Sequence, residues 1–144
     1  MMQTIQSLGH AEAQRAIEAI RQAAERRATP VTIAVADAGG ELIGLLRIDG
    51  APLPSIIVAG NKAWTAARER KSTEDIGRAA RDPVEGHEMD YFGDSRHTGW
   101  GGGLPVRVND VVVGAVAVSG LTSTEDIELA QIGVATLFAS GFGG

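Results

Sequence analysis

The chain has 144 residues, of which 44% are hydrophobic and 22% charged, with a formal net charge of −5; this describes one ordinary globular domain, large enough to bury roughly 68–70% of its unfolded surface. The acidic balance leaves no basic stripe, which argues against a nucleic acid or an anionic membrane as partner. The absence of cysteine excludes disulfides, thiolate metal sites, Fe–S clusters and a cysteine nucleophile.

The opening "MMQTIQSLGHAEAQ" has neither a basic n-region nor an apolar h-region, and no apolar run approaches the roughly 18 residues of a membrane span. The expected compartment is the cytoplasm. "HAEAQRAIEAIRQAAERRA" is a helix by period, with Ala13, Ala16, Ile17, Ile20 and Ala24 on one face and charged residues on the other. Two strands follow around Asp37-Ala38-Gly39-Gly40, where the glycine pair supplies the positive φ of a tight turn. Asp37 is expected to bond the turn's amides. A second helix runs from about Pro54 to Arg70, with proline at its start.

Residues 71–103 break the pattern. "STEDIGRAARD" predicts one short helix capped by Ser72 or Thr73, and the remainder reads as charged loop. A second hairpin, "LPVRVNDVVVGAVAVSG", turns at Asn109-Asp110, a pair suited to the left-handed conformation. The last helix, "STEDIELAQIGVATLFA", opens on a Thr122–Glu125 capping box. Its apolar residues wrap most of the way round, so it is either central or covered on its second side by another subunit. A faint internal echo matches Gly44 with Gly114 and Gly50 with Gly120. Two hairpin-then-helix units predict an α/β (α+β) domain: one antiparallel sheet of two hairpins flanked by helices.

The order and content of "AVADAGGELIGLLRIDG", the Lys62-Ala63 pair in the second helix, "GGGLP", "VVVGAVAVSG" and "EDIELAQIGVA" resemble the GlcG/HbpS-like family of haem-binding proteins, related to the C-terminal domain of PduO-type corrinoid adenosyltransferases. The resemblance covers roughly residues 10–140. It implies a single profilin-like or PAS-like domain, a homo-oligomer, a pocket near the sheet and the loop before "GGGLP", and haem as a candidate cofactor.

The segment 71–103 concentrates the chemistry, with His87, His97, Tyr91 and Trp100 among many carboxylates, as functional loops do. Gly101, Gly102 and Gly103 are not a nucleotide loop, because their spacing is wrong and a strand follows. They are read either as a tight packing point or as the lip of a ligand site walled by Trp100, Arg96 and His97. Haem without covalent attachment needs an axial ligand and cations for its propionates. His97, His87 and His10 are the axial candidates, with Met89 and Tyr91 behind them; Arg47, Lys62 and Arg96 are the propionate candidates. No metal is expected, the alternative being a loop site of His87, Asp94 and His97. The leading function is small-ligand binding, with haem the family's candidate. The alternative is a cofactor-independent isomerase, hydratase or lyase acting on a small carboxylated metabolite. In it Lys62 is base or Schiff-base amine, His87 and His97 move protons, and Asn61 with Arg47 or Arg96 holds the substrate.

Overall fold

The computed structural model describes residues 1–142. Its elements are α1 (His10–Arg26), β1 (Thr32–Asp37), β2 (Leu42–Arg47), α2 (Ser55–Glu69), α3 (Thr73–Ala80), a 3-10 turn (Met89–Phe92), β3 (Gly103–Val108), β4 (Val111–Ser119) and α4 (Ser123–Ser140). The four strands form one antiparallel sheet in the order β2-β1-β4-β3. Each hairpin keeps its own pairing, and the two join through β1 and β4, in register from Thr32 opposite Ser119 to Asp37 opposite Gly114. Among the described residues, no helix is long and apolar enough to cross a membrane.

The predicted turns form for the predicted reasons. Asp37 Oδ1 accepts the N–H groups of Gly39 and Glu41, both at 2.9 Å. Asn109 and Asp110 both take positive φ, 51° and 65°, the conformation that matches strand twist in a two-residue hairpin. Ser72 caps α3 through the Asp75 N–H, and Thr122 caps α4 through the Glu125 N–H.

The two central strands alternate large and small side chains, and this sets the layers. Ile33, Val35, Val116 and Val118 face α1 and α4 in the larger core, joined there by Ile20, Leu129 and Leu137. Ala34, Ala36, Ala115 and Ala117 face the opposite way, against Ala59, Ala63, Ala66 and Ala67 of α2. Period two in the strands thus makes a valine face for two helices and an alanine face that lets one helix approach closely. α1 lies over β1 and β2, α4 over β4 and β3, and α2 crosses the other face.

The last helix is not central. It buries Asp126, Leu129, Ala130, Gly133 and Leu137 against the sheet and α1, while Phe138 is half exposed. The internal echo also resolves into two unlike environments: β4 is central and buried from Val112 onward, whereas β2 is an edge strand with Leu42 and Leu45 exposed.

The alanine layer has no spare volume. Ala63→Leu is expected to destabilise the fold by about 1–3 kcal/mol, as overpacked cores do, measured by urea unfolding. Phe138→Ser on the exposed side of α4 is expected to change the midpoint little.

Candidate functional site

The glycine run is best understood from Lys62. This residue belongs to α2 on one face of the sheet, yet its ammonium reaches an aspartate on α4, which covers the other. Nζ donates to Asp126 Oδ2 at 3.0 Å and to the Val118 carbonyl at 2.9 Å. Asp126 Oδ1 accepts the Leu121 N–H at 3.1 Å. The two side chains are 3% and 2% exposed. Burial pushes the amine below its ordinary range and the carboxyl above its own, and each partner's charge opposes the shift.

This crossing is possible only where the intervening chain has no side chains. A Cβ on Gly102, whose φ is +130°, would lie 2.6 Å from the Val118 oxygen and 2.8 Å from Lys62 Nζ. On Gly103 it would meet the Lys62 carbonyl oxygen at 2.6 Å, and on Gly101 the end of Ile127 at 2.9 Å. All three glycines are buried. They are therefore a packing point and not the expected ligand lip. Lys62 is likewise buried and not in a cleft as base, imine-forming amine or propionate partner; two of its three donors go to Asp126 and Val118.

Immediately upstream, residues 96–100 are pinned to α2. Thr65, fully buried, donates its hydroxyl to the Arg96 carbonyl at 3.0 Å and accepts the Thr98 N–H at 3.2 Å. This fixes His97, whose side chain is 1% exposed. Its ring stacks on Phe92 with centroids 3.7 Å apart, and His87 lies tilted on the same phenyl at 5.4 Å. His97 Nδ1 is 3.9 Å from Glu69 Oε1, whereas Nε2 of His97 and Nε2 of His87 are buried with no hydrogen-bond partner. Burial lowers the His97 pKa below 6.5; Glu69 and Asp94 oppose this and His87 adds to it.

His97 forms one wall of a cleft of about 300 Å³. Trp100, 64% exposed, forms another, and Met89 also lines the cleft. The floor is the direct contact of α3 with the 97–100 segment, where a Cβ on Gly77 would collide with the Gly99 carbonyl. Arg81, four residues after Gly77 at the C-cap of α3, brings a guanidinium to the same cleft. Sequence reasoning missed Arg81, Gly77 and Asp126. The only available signal was the i, i+4 spacing of Gly77 and Arg81, which means little until α3 is known to touch Gly99.

The remaining candidates are dispersed. Arg96 forms a two-pronged pair with Asp94, at 3.1 and 2.9 Å, and stands over the Trp64 ring at 4.2 Å, with Arg68 over the same ring at 5.0 Å. The Arg96 bond, above all, holds the Asp94 carboxyl down at about 2. Arg96 is thus committed to Asp94 and Trp64, and does not line the His97 cleft. Tyr91 is 77% exposed. Asn61 is half buried on α2. Arg47 is exposed on β2, at the opposite edge of the sheet from β3, and His10 is exposed at the start of α1. Among the described residues no three His, Asp or Glu side chains gather as a metal site, so the His87, Asp94 and His97 alternative does not assemble.

The model of the haem-degrading HbpS-like protein family matches residues 8–135. An uncharacterised 15.0 kDa protein from the dhaT–dhaS intergenic region of Citrobacter freundii is 34% identical over 129 residues, covering 90% of this chain and 91% of that protein. The crystal structure of Klebsiella pneumoniae ORFY superposes with a TM-score of 0.89 at 32% identity, covering 94% of this chain and 93% of its own. A structure described as a PduOC–haem complex superposes with a TM-score of 0.85 at 22% identity, covering 91% and 95%, which is a likeness of fold.

Two outcomes follow from this geometry. Lys62→Met, which strands a buried carboxylate, is expected to lower stability by about 3–5 kcal/mol, whereas Lys62→Met with Asp126→Leu together are expected to lose less than Lys62→Met alone, in denaturant melts. For His97 the unfolded chain takes up a proton near 6.5 and the folded chain only below that. Stability is therefore full above 6.5 and falls as the pH drops through the lowered folded value. Melting temperature against pH should show that loss, and His97→Gln should remove it.

Proposed function

We propose, on the premise that this chain belongs to the HbpS-like family, that it binds haem non-covalently in the cleft between α3 and residues 97–100, with His97 as the iron ligand. The observation that carries this reading is the buried, unpartnered Nε2 of His97 in a cleft wall. A polar nitrogen left without a partner inside a protein costs free energy unless something supplies one. Burial also keeps the imidazole neutral to lower pH, and the neutral ring is the form that binds a metal.

The other residues of the cleft suit the same ligand. Trp100 offers an aromatic wall, Met89 a soft and adaptable one, and Arg81 a cation for a propionate. At about 300 Å³ the cleft is no larger than the smallest ligand sites, and Phe92, 46% exposed, lies on the His97 ring, so the short 89–92 turn is the element that moves for haem to enter and for Nε2 to reach iron. His87, tilted against the same Phe92 ring at 5.4 Å, is the nearest second imidazole. Bound haem would supply an iron centre and a visible chromophore; the chain holds it, orients it and keeps water from the liganding nitrogen. Support comes from the family's description as haem-degrading and from the fold shared with a protein solved as a haem complex. The reading includes self-association, for which Phe138 on α4 and Leu42 and Leu45 on β2 are among the exposed apolar residues.

Titration with haemin, followed by visible spectroscopy, is expected to give a saturable Soret shift at one haem per chain. His97→Ala should abolish or displace that band while circular dichroism remains unchanged, and His87→Ala should have the smaller effect. An unaltered Soret band in His97→Ala would remove this residue as ligand, and no saturable shift in the wild-type protein would end the haem reading.

A further inference from the structure

A second cleft, of about 270 Å³, lies on the other side of Trp100, at the end of the sheet where β1 begins and β4 finishes. Three hydroxyls belong to it: Ser55, Ser119 and Ser123. The first is committed, since Ser55 donates to the Pro52 carbonyl and is bonded to Thr32 at 2.8 Å. Ser119 is different. It follows Ala115 and Ala117 on the α2 side of β4, is 6% exposed, and has no hydrogen-bond partner among the described residues. Ser119 is thus a largely buried residue on the cleft wall whose hydroxyl has no protein partner among the described residues and is open to bond a ligand there.

Two helices also start here. Ser55 is the first residue of α2 and Ser123 the first of α4, and both line the cleft. Helix N-termini carry partial positive charge and unpaired N–H groups. In α4 the Glu125 N–H goes to the Thr122 hydroxyl and the Asp126 N–H to the Thr122 carbonyl; those of Ser123 and Thr124 have no protein acceptor among the described residues. The acidic side chains of that turn are occupied elsewhere, Asp126 with Lys62 and Leu121, Glu125 with the Thr122 hydroxyl. No charged side chain lines the cleft, and Pro52, Val58, Leu121 and Trp100 give it an apolar wall.

We propose that this cleft binds a small aliphatic carboxylic acid: Ser119 and the open end of α4 hold the carboxylate, and the apolar wall takes the carbon chain. An inorganic phosphate would bring more charge and no apolar body to a site with no cationic side chain. The volume is at the low end for ligand sites, which run from roughly 300 to 1,000 Å³, so the acid has only a few carbons. The site is separate from the His97 cleft and stands or falls independently of haem binding.

The test is an NMR titration of ¹⁵N-labelled protein with butyrate, with butanol as the uncharged control. Butyrate is expected to give saturable shifts at the Ser119–Thr124 amides and the Trp100 indole. Ser119→Ala, which removes one oxygen and adds no bulk, should weaken binding at least about tenfold, the effect of losing one hydrogen bond to a charged group. Val58→Phe, which narrows the cleft from its wall, should also abolish the shifts, and haemin titration of Ser119→Ala should match the wild type. The proposal is overturned by the absence of saturable shifts, by equal affinity in Ser119→Ala, or by butanol shifting the same amides as strongly as butyrate.

Discussion

The buried contact between Lys62 and Asp126 is the constraint around which this molecule is arranged. It joins the helix on one face of the sheet to the first turn of the helix on the other, and it does so at the one place where the chain between them has no side chains. Taking both charges out of water is expensive, and the pair makes sense only because Val118 and Leu121 supply the remaining hydrogen bonds. What it contributes is register. Asp126 sets where α4 begins, Lys62 sets how far α2 lies from β3, and both set the course of residues 101–103. Thr73 completes the clasp, accepting the Gly103 N–H at 2.9 Å and so fixing the start of α3 on the same point.

The asymmetry of the sheet makes that clasp possible. Alternating valine and alanine in β1 and β4 give one thick face and one thin one. The thin face brings the α2 backbone so close that Lys62 can span the end of the sheet. It also places Thr65 against residues 96–98 and Trp64 beneath Arg68 and Arg96. The charged segment that follows α2 is thus tethered from below by α2 at several points, and His97 is held by its neighbours' backbone bonds as much as by its own contacts. A histidine positioned this way has its backbone fixed on both sides by Thr65, as a histidine on a free loop would not.

Trp100 stands between two clefts. On one side is the cleft of His97, Met89 and Arg81; on the other is the cleft of Ser119 and the two helix starts. The first offers a nitrogen ligand and a cation, the second hydroxyl and amide donors with no charged side chain. These are different chemistries held by one indole, next to a glycine run that cannot move without disturbing the ion pair.

Much of this was legible in the residues. Helix and strand positions followed from period, the turns at Asp37 and Asn109-Asp110 from side-chain chemistry, and the antiparallel sheet flanked by helices from two hairpin-then-helix units. The family was legible from the order of short motifs, and the concentration of histidine and aromatic residues in 71–103 pointed to the segment that builds the His97 cleft. Lys62 was singled out for its apolar surroundings, but its partner lies 64 positions away, and no local pattern distinguishes a buried ion pair from a poised amine. Arg47 and Arg96 looked equivalent as cations, and only the strand order β2-β1-β4-β3 separates them, because it sends β2 and β3 to opposite edges. Local sequence determined the elements, since propensity and periodicity act over a few residues. Tertiary structure alone decided which charges are spent on one another and which polar atoms are left without a partner, since both depend on which distant segments close the same space.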